Sequence, residues 1–363
     1  MRVPAVIHLR IPFKNPRGIV LRVICAAAIL LPVNSSATKF AGEFMALGGG
    51  ARAMGMGGAF VSVANDASTV FWNPAGISGF QNRQALFMHS ERFGNMVNYN
   101  FASYVMPFNA FTSEEQQGAL GFALIHLGVD DIIITSGLHW EEGPVNNPGF
   151  QPEEGDRLIY DIDNLPKESH NDFALLSSYA LKTAYGRVGG TLKILYTNSV
   201  AGYSSYGVGL DFGYLRENIL PNLNVGFKLQ DATGTYLSWS SGTNEFIAPS
   251  LKVGTSYTYS SRPLNGTILL AAGSDFYFEN RQGASQFWVE TVSADLHLGG
   301  EIQFQDRVMI RGGLDAGNPT AGAGLRIGML GFDYAYLHHA RPDGDENSGR
   351  FEATHRISAL ANF

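Results

Sequence analysis

Few residues in this chain have the type and spacing for covalent or metal chemistry. Gly55-Met56-Gly57-Gly58 has the glycine density of a phosphate-cradling loop. Such a loop works only where a strand precedes it and a helix N-terminus follows, and no βαβ pattern surrounds this one. No Gly-x-Ser-x-Gly run stands before a helical pattern, so there is no nucleophile elbow. His338 and His339 are neighbours in an alternating stretch and project to opposite faces, which keeps them from sharing one metal. Asp343-Gly344-Asp345-Glu346-Asn347-Ser348-Gly349 places oxygen donors at alternate positions, as calcium loops do, but its glycine falls one place late for an EF-hand. A solvated acidic loop tip is the expectation there. The sequence thus predicts a protein that is not an enzyme and carries no cofactor and no metal.

The densest concentration of unusual residues runs from Gly48 to Phe80, GGGARAMGMGGAFVSVANDASTVFWNPAGISGF. Small residues surround one basic and one acidic side chain, Arg52 and Asp66. Glycines such as Gly55, Gly57 and Gly58 permit positive φ and close backbone approach, which suits a segment folded tightly inside something else. Asn73 is placed to cap a short helix entered through Pro74, with Ala75 and Gly76 following, and the residue before a proline leaves the helical region. The expectation is a compact coil with two helical turns, Trp72 buried against the barrel wall, and Arg52 and Asp66 facing polar groups such as Arg326 or Asp295.

Residues 1–37 read as a signal peptide rather than part of the fold. Arg2, Arg10, Lys14 and Arg17 form a basic start, Ile19 to Val33 a short apolar core broken by Arg22, and Ser35-Ser36-Ala37 a cleavage site. Its loss lowers the net charge from −7 to −12, because five of the 25 basic residues and none of the 32 acidic ones lie there. An acidic mature chain is a poor match for nucleic acid, which favours a basic face. The sole cysteine, Cys25, lies in the same segment, so no disulfide framework is expected. Glycine is 43 of 363 residues, aromatics 12% and charged residues 16%, a balance suited to a β-rich membrane protein.

From Arg83 onward the pattern has period two. Val292, Ala294, Leu296, Leu298, Ile302 and Phe304 share one face, and Ser293, Asp295, His297, Glu301, Gln303 and Gln305 the other. Strands are expected at 83–93, 97–108, 118–129, 173–183, 187–197, 206–216, 222–231, 249–260, 265–279, 287–305, 307–315, 320–329, 331–340 and 351–363. That makes about fourteen, most near the ~9–11 residues that cross a bilayer when tilted. Their connections alternate in length: 184–186, 261–266, 306 and 330–331 are tight, whereas 130–172, 232–248 and 341–350 are long. A soluble sandwich has no reason to sort its loops this way. An outer-membrane barrel does, with short periplasmic turns, long outer loops and both termini on the periplasmic side. Phe93, Phe108, Tyr214, Tyr259, Trp288 and Tyr336 near strand ends suit interfacial girdles. The expected fold is all-β: a transmembrane antiparallel barrel over 83–363, preceded by a lumen segment over 38–82.

The run from Gly50 to Ser68, with Trp72-Asn73-Pro74-Ala75-Gly76, resembles the N-terminal hatch of FadL-like outer-membrane barrels. It is more closely similar to the opening of the PorV/PorQ family. Leu210-Asp211-Phe212-Gly213, Leu223-Asn224-Val225-Gly226, Ala323-Gly324-Leu325-Arg326, Phe332-Asp333-Tyr334-Ala335-Tyr336 and Thr354-His355-Arg356-Ile357-Ser358 resemble strand motifs of that family. The resemblance implies an outer-membrane component of type IX-like protein secretion that binds exported cargo. The alternative is a FadL-like channel for hydrophobic small molecules. It further implies that Phe363, ending an alternating strand, is the assembly signal read by the barrel insertion machinery. Outer-membrane lipid is the other expected partner. In the long loop Asp130 to Asp172, Trp140 and Tyr160 stand among acidic residues, and aromatic anchors of this kind are the expected cargo contacts.

Overall fold

A computed structural model describes residues 42–92, 96–109, 117–134, 139–140, 143–144, 158–159, 165–279, 281, 284–339 and 352–363. The expected signal peptide, Phe93, Tyr160, the Trp140 side chain and the acidic loop 343–349 lie outside the described residues. The alternating sequence forms fourteen barrel strands. They are β1 (Gln84–Arg92), β2 (Val97–Asn109), β3 (Gln117–Ile133), β4 (Lys167–Thr183), β5 (Gly186–Asn198), β6 (Ser204–Leu220) and β7 (Leu223–Gln230). Then follow β8 (Ser250–Ser261), β9 (Gly266–Tyr277), β10 (Val292–Phe304), β11 (Val308–Asp315), β12 (Asn318–Ile327), β13 (Leu330–His339) and β14 (Glu352–Asn362). Each pairs antiparallel with the next. The ring closes where β14 pairs with β1, from Gln84↔Asn362 to Glu91↔His355. Phe363 extends the seam, its backbone N–H donating to Arg83 O at 2.9 Å.

Three departures from the expected strands have local causes. β3 and β4 run further than read from sequence, so their connection spans 134–166 instead of 130–172. A small three-stranded sheet forms within it from His139–Trp140, Gly143–Pro144 and Leu158–Ile159. The strand expected at 287–305 divides at Glu290, whose φ of 52° is left-handed, into Phe287–Val289 and β10. β7 ends at Gln230, and Asp231 (φ 52°) and Gly234 (φ 70°) fold the chain inward. Thr235–Trp239 then rejoins the edge of β6 and pairs with Asn244–Ile247.

Alternation sorts the two faces of the wall. On β10, Ser293, Asp295, His297 and Glu301 are buried while Leu296 and Leu298 remain 46% and 49% exposed. Ile310, Phe332 and Ile357 continue the exposed apolar face around the ring. Charges inside and aliphatic side chains outside invert the arrangement of a soluble protein. An apolar solvent removes that cost, and a closed ring is the β form that leaves no unpaired edge in lipid. Tyr259 near the short-turn end and Trp288 near the long-loop end are exposed, as interfacial rings are.

Leu298 lies at the middle of β10, on the exposed face. Leu298→Arg is expected to cost about 2–4 kcal/mol in bilayer-reconstituted unfolding, the penalty of a charge near the midplane, whereas Leu298→Ile costs little. Equal unfolding midpoints for the two variants would place Leu298 away from lipid.

Candidate functional site

Residues 42–80 fold as a chain of short turns: 3-10 turns at Glu43–Leu47 and Pro74–Gly79, and helical turns at Ala51–Gly55 and Thr69–Trp72. Asn73 is extended (φ −162°, ψ 104°), and its Oδ1 accepts from the Ala75 N–H at 3.2 Å, the cap its position before proline favours. Trp72 is buried, but against Phe60 and Phe71 of its own segment. Its Nε1 donates to Gly49 O at 2.7 Å.

The wall reaches this segment from all sides. Tyr99 on β2 donates to Gly48 O (2.9 Å), Lys228 on β7 to Phe71 O (2.6 Å), and Ser256 on β8 to Ser62 O (3.2 Å). His297 Nδ1 on β10 donates to Gly57 O (3.0 Å), Thr320 on β12 to Gly55 O (3.3 Å), and Arg356 on β14 to Leu47 O (2.5 Å). In return, Asn73 Nδ2 donates to Tyr214 O on β6 (3.1 Å), Ala67 N to Gln84 Oε1 on β1 (2.5 Å), and Ala51 N to Ser358 Oγ (2.8 Å). Bonds to strands around the whole ring enclose the segment. Gly57 shows how closely. Its φ is +62°, and a Cβ there would lie 2.5 Å from Leu314 O and 2.6 Å from Leu298 O. Gly55 to Gly58 therefore rest on wall backbone and leave no cradle for a phosphate.

Arg52 binds elsewhere than its sequence position suggested. Its Nε and Nη2 donate to Glu301 on β10 at 2.9 and 2.7 Å, and its Nη1 to Asn65 Oδ1 (2.6 Å) and Asp66 Oδ2 (3.2 Å). Burial alone would lower the Arg52 pKa, but Glu301 and Asp66 outweigh it and raise the value, so the guanidinium stays charged. Asp66 also accepts from the Ser68 N–H and hydroxyl. Arg326, one expected partner, is taken by Asp333 through two bonds of 3.0 Å. Asp295, the other, accepts the Gln286 N–H. Arg311 joins the two ends, 2.6 Å from Glu301 and 2.9 Å from Asp333. Charges of alternating sign thus run from Asp66 through Arg52, Glu301, Arg311 and Asp333 to Arg326. A second cluster sets Lys193 between Asp211 (2.8 Å) and Asp231 (2.5 Å), with Lys228 3.1 Å from Asp211. Sequence reading put Glu301 on the inner face but named none of Lys193, Asp211, Lys228, Arg311 or Asp333 as functional. Their signal was a charge at the inner parity of an otherwise apolar-out strand.

Between the segment and the wall lies a cavity of about 250 Å³. Ser250, Tyr277 and Asp315 line it, and all three sit at the strand ends that lead into the outer connections. Phe71 and Trp72 give it an aromatic floor, and Lys252, Asp275, Asp295 and His297 a charged wall. Lys252 pairs with Asp275, and His297 Nδ1 lies 3.0 Å from Asp315. An aromatic surface facing a few fixed polar groups can hold a small molecule in one orientation.

No protein-family model matches the chain, and no curated protein matches it. Among solved structures it is similar to the toluene transporter TbuX of Ralstonia pickettii, at TM-score 0.52 and 12% identity over 87% of this chain and 98% of that one. The monoaromatic hydrocarbon channel CymD gives TM-score 0.52 and 13% identity, with 87% and 98% covered. A FadL homologue of Pseudomonas aeruginosa gives 0.50 and 12%, with 86% and 97% covered. At such identity the likeness is one of fold: a closed antiparallel barrel of the FadL-like outer-membrane type.

Glu301 carries two buried guanidiniums. Removing one partner of a buried ion pair strands the other, so Glu301→Gln should cost about 3 kcal/mol in reversible unfolding. Glu301→Asp, which keeps the charge, should lose less. A Gln variant as stable as the parent chain would show that Arg52 and Arg311 do not depend on it.

Proposed function

We propose that this chain is a non-enzymatic outer-membrane channel that takes small, mainly apolar molecules from the cell surface past an N-terminal hatch formed by residues 42–80. The observation that carries this reading is the cavity beneath the long connections, whose aromatic floor, Phe71 and Trp72, belongs to the enclosed segment itself. A molecule resting there touches the element that must shift for it to pass. The apolar outer face and the fold likeness to TbuX, CymD and the FadL homologue support an outer-membrane setting. Export would begin with cleavage near Ala37. Phe363, 67% exposed beside β1 at the ring seam, is then the residue offered to the insertion machinery.

The reading is tested in cells whose outer leaflet of lipopolysaccharide slows apolar solutes. Cells making the chain should accumulate labelled toluene faster than cells without it. Trp72→Ala should weaken toluene binding to the purified barrel by about tenfold, the loss of roughly 1.4 kcal/mol of floor contact. Accumulation independent of the chain would overturn the channel reading.

The residue resemblance to PorV/PorQ, together with strand pairing inside the 134–166 connection, supports a second reading in which this loop holds an exported protein. Trp140 and Tyr160 would be its anchors. Replacing residues 140–160 by a short Gly/Ser bridge should then abolish cargo retention at the surface while the barrel still inserts. Unchanged retention with normal insertion would leave the channel reading alone.

A further inference from the structure

The carboxylates around the cavity differ in one respect. Asp231 has Lys193 at 2.5 Å, Asp275 has Lys252, and Asp315 has His297 at 3.0 Å. Glu43 and Glu279 share Arg281. Asp295 has no cation against it among the described residues. Its side chain is on the inner face of β10, two residues before His297, and the residue is only 7% exposed. Oδ1 accepts the Gln286 N–H at 2.7 Å, and the carboxylate lines the cavity. One backbone donor does not offset the desolvation of a buried carboxylate. His297 and Arg281 attract it only from a distance, because each is already bonded to other acids.

From this charge left over beside an aromatic floor we infer that the cavity takes an organic cation: a protonated amine on an apolar, ring-sized body. The ammonium would donate to Asp295, and the body would lie over Phe71 and Trp72. The inference rests on the channel reading and names the substrate class for it. Size agrees. An engineered cavity of about 150 Å³ accepts benzene, so 250 Å³ holds a ring and a short arm bearing the charge. An anion would have to displace an existing carboxylate from Lys193, Lys252 or Arg281. A bare metal ion would need several free oxygen ligands, and among the described carboxylates lining the cavity only Asp295 lacks a cation.

Three probes with one ring and different heads test it: benzylamine, toluene and benzoate, titrated calorimetrically into the whole detergent-solubilised barrel at neutral pH. Benzylamine should bind at least about tenfold tighter than either of the others, the ratio given by about 1.4 kcal/mol. In Asp295→Asn, checked first for heat-modifiable gel mobility, that ratio should fall to within about twofold, and in Asp295→Glu it should return. A parent barrel that binds toluene or benzoate as tightly as benzylamine overturns the inference without any variant. A preference that survives Asp295→Asn also overturns it. If toluene binds and is taken up while benzylamine is not favoured, the channel reading stands and only the substrate class fails. If none of the three binds, both fail.

Discussion

Everything in this molecule follows from the closing pair, β14 on β1. A strand in lipid cannot leave its N–H and C=O groups to water, and each unpaired group there costs several kcal/mol. Joining Glu91 to His355 and Gln84 to Asn362 removes both free edges at once. Closure then fixes which parity of each strand meets lipid. With that decided, the chain can place Leu298, Ile310 and Ile357 outside, and must find partners for whatever stands at the opposite parity. A soluble sheet could leave such groups wet. Here they point into an enclosed lumen.

The enclosed segment solves much of that problem, and the wall in turn shapes the segment. Arg52 supplies the cation that Glu301 and Asp66 share, while Arg311 and Arg326 answer Asp333. Buried pairs of this kind rarely add net stability over a well-packed apolar core, but breaking one is costly, so they fix position more than they add strength. The backbone contributes equally. Gly57 lies so close to the carbonyls of Leu314 and Leu298 that no side chain fits between, and Gly313 on the wall is small for the same reason. From Gly55 to Gly57 the segment is therefore seated backbone to backbone against the strands β10 to β12.

The fold was legible because a barrel writes its geometry into the sequence twice, as period-two alternation and as alternating loop length. Fourteen strands form close to where the pattern put them, with β3 and β4 longer and β10 starting later, and Leu296 and His297 face as their parity demands. The errors fell where backbone twist overrides pattern. Glu290 adopts left-handed φ inside an apparently continuous strand, and it is not glycine, so nothing in the sequence marked the break. Within the segment, the Asn73–Pro74 cap was legible because its chemistry is local, two residues apart. The partners of Arg52 were not, because Glu301 is 249 positions away and competes with other acids of the same parity.

Most of the links between segment and wall could not have been read from any residue pairing. Tyr99, Lys228, Ser256, His297, Thr320 and Arg356 all donate from the wall to backbone carbonyls of the segment, at Gly48, Phe71, Ser62, Gly57, Gly55 and Leu47. A carbonyl has no side-chain identity, so these bonds leave no trace except the smallness of the residues around them. That accounts for the composition of the stretch. Glycine and alanine keep the backbone within reach of donors on strands all round the ring, where larger side chains would hold it away. It also bears on the proposed channel role. A bond from a side chain to a carbonyl contributes about 1 kcal/mol net, and about 1.5–3 kcal/mol where the donor is charged, as Lys228 and Arg356 are. Several such bonds hold the segment firmly as a set, yet each can open alone. In the proposed channel, a molecule on the Phe71 and Trp72 floor would lie beside the end of one of them, Lys228 to Phe71 O, so pressure on the floor would act first on a single link and not on the whole seat.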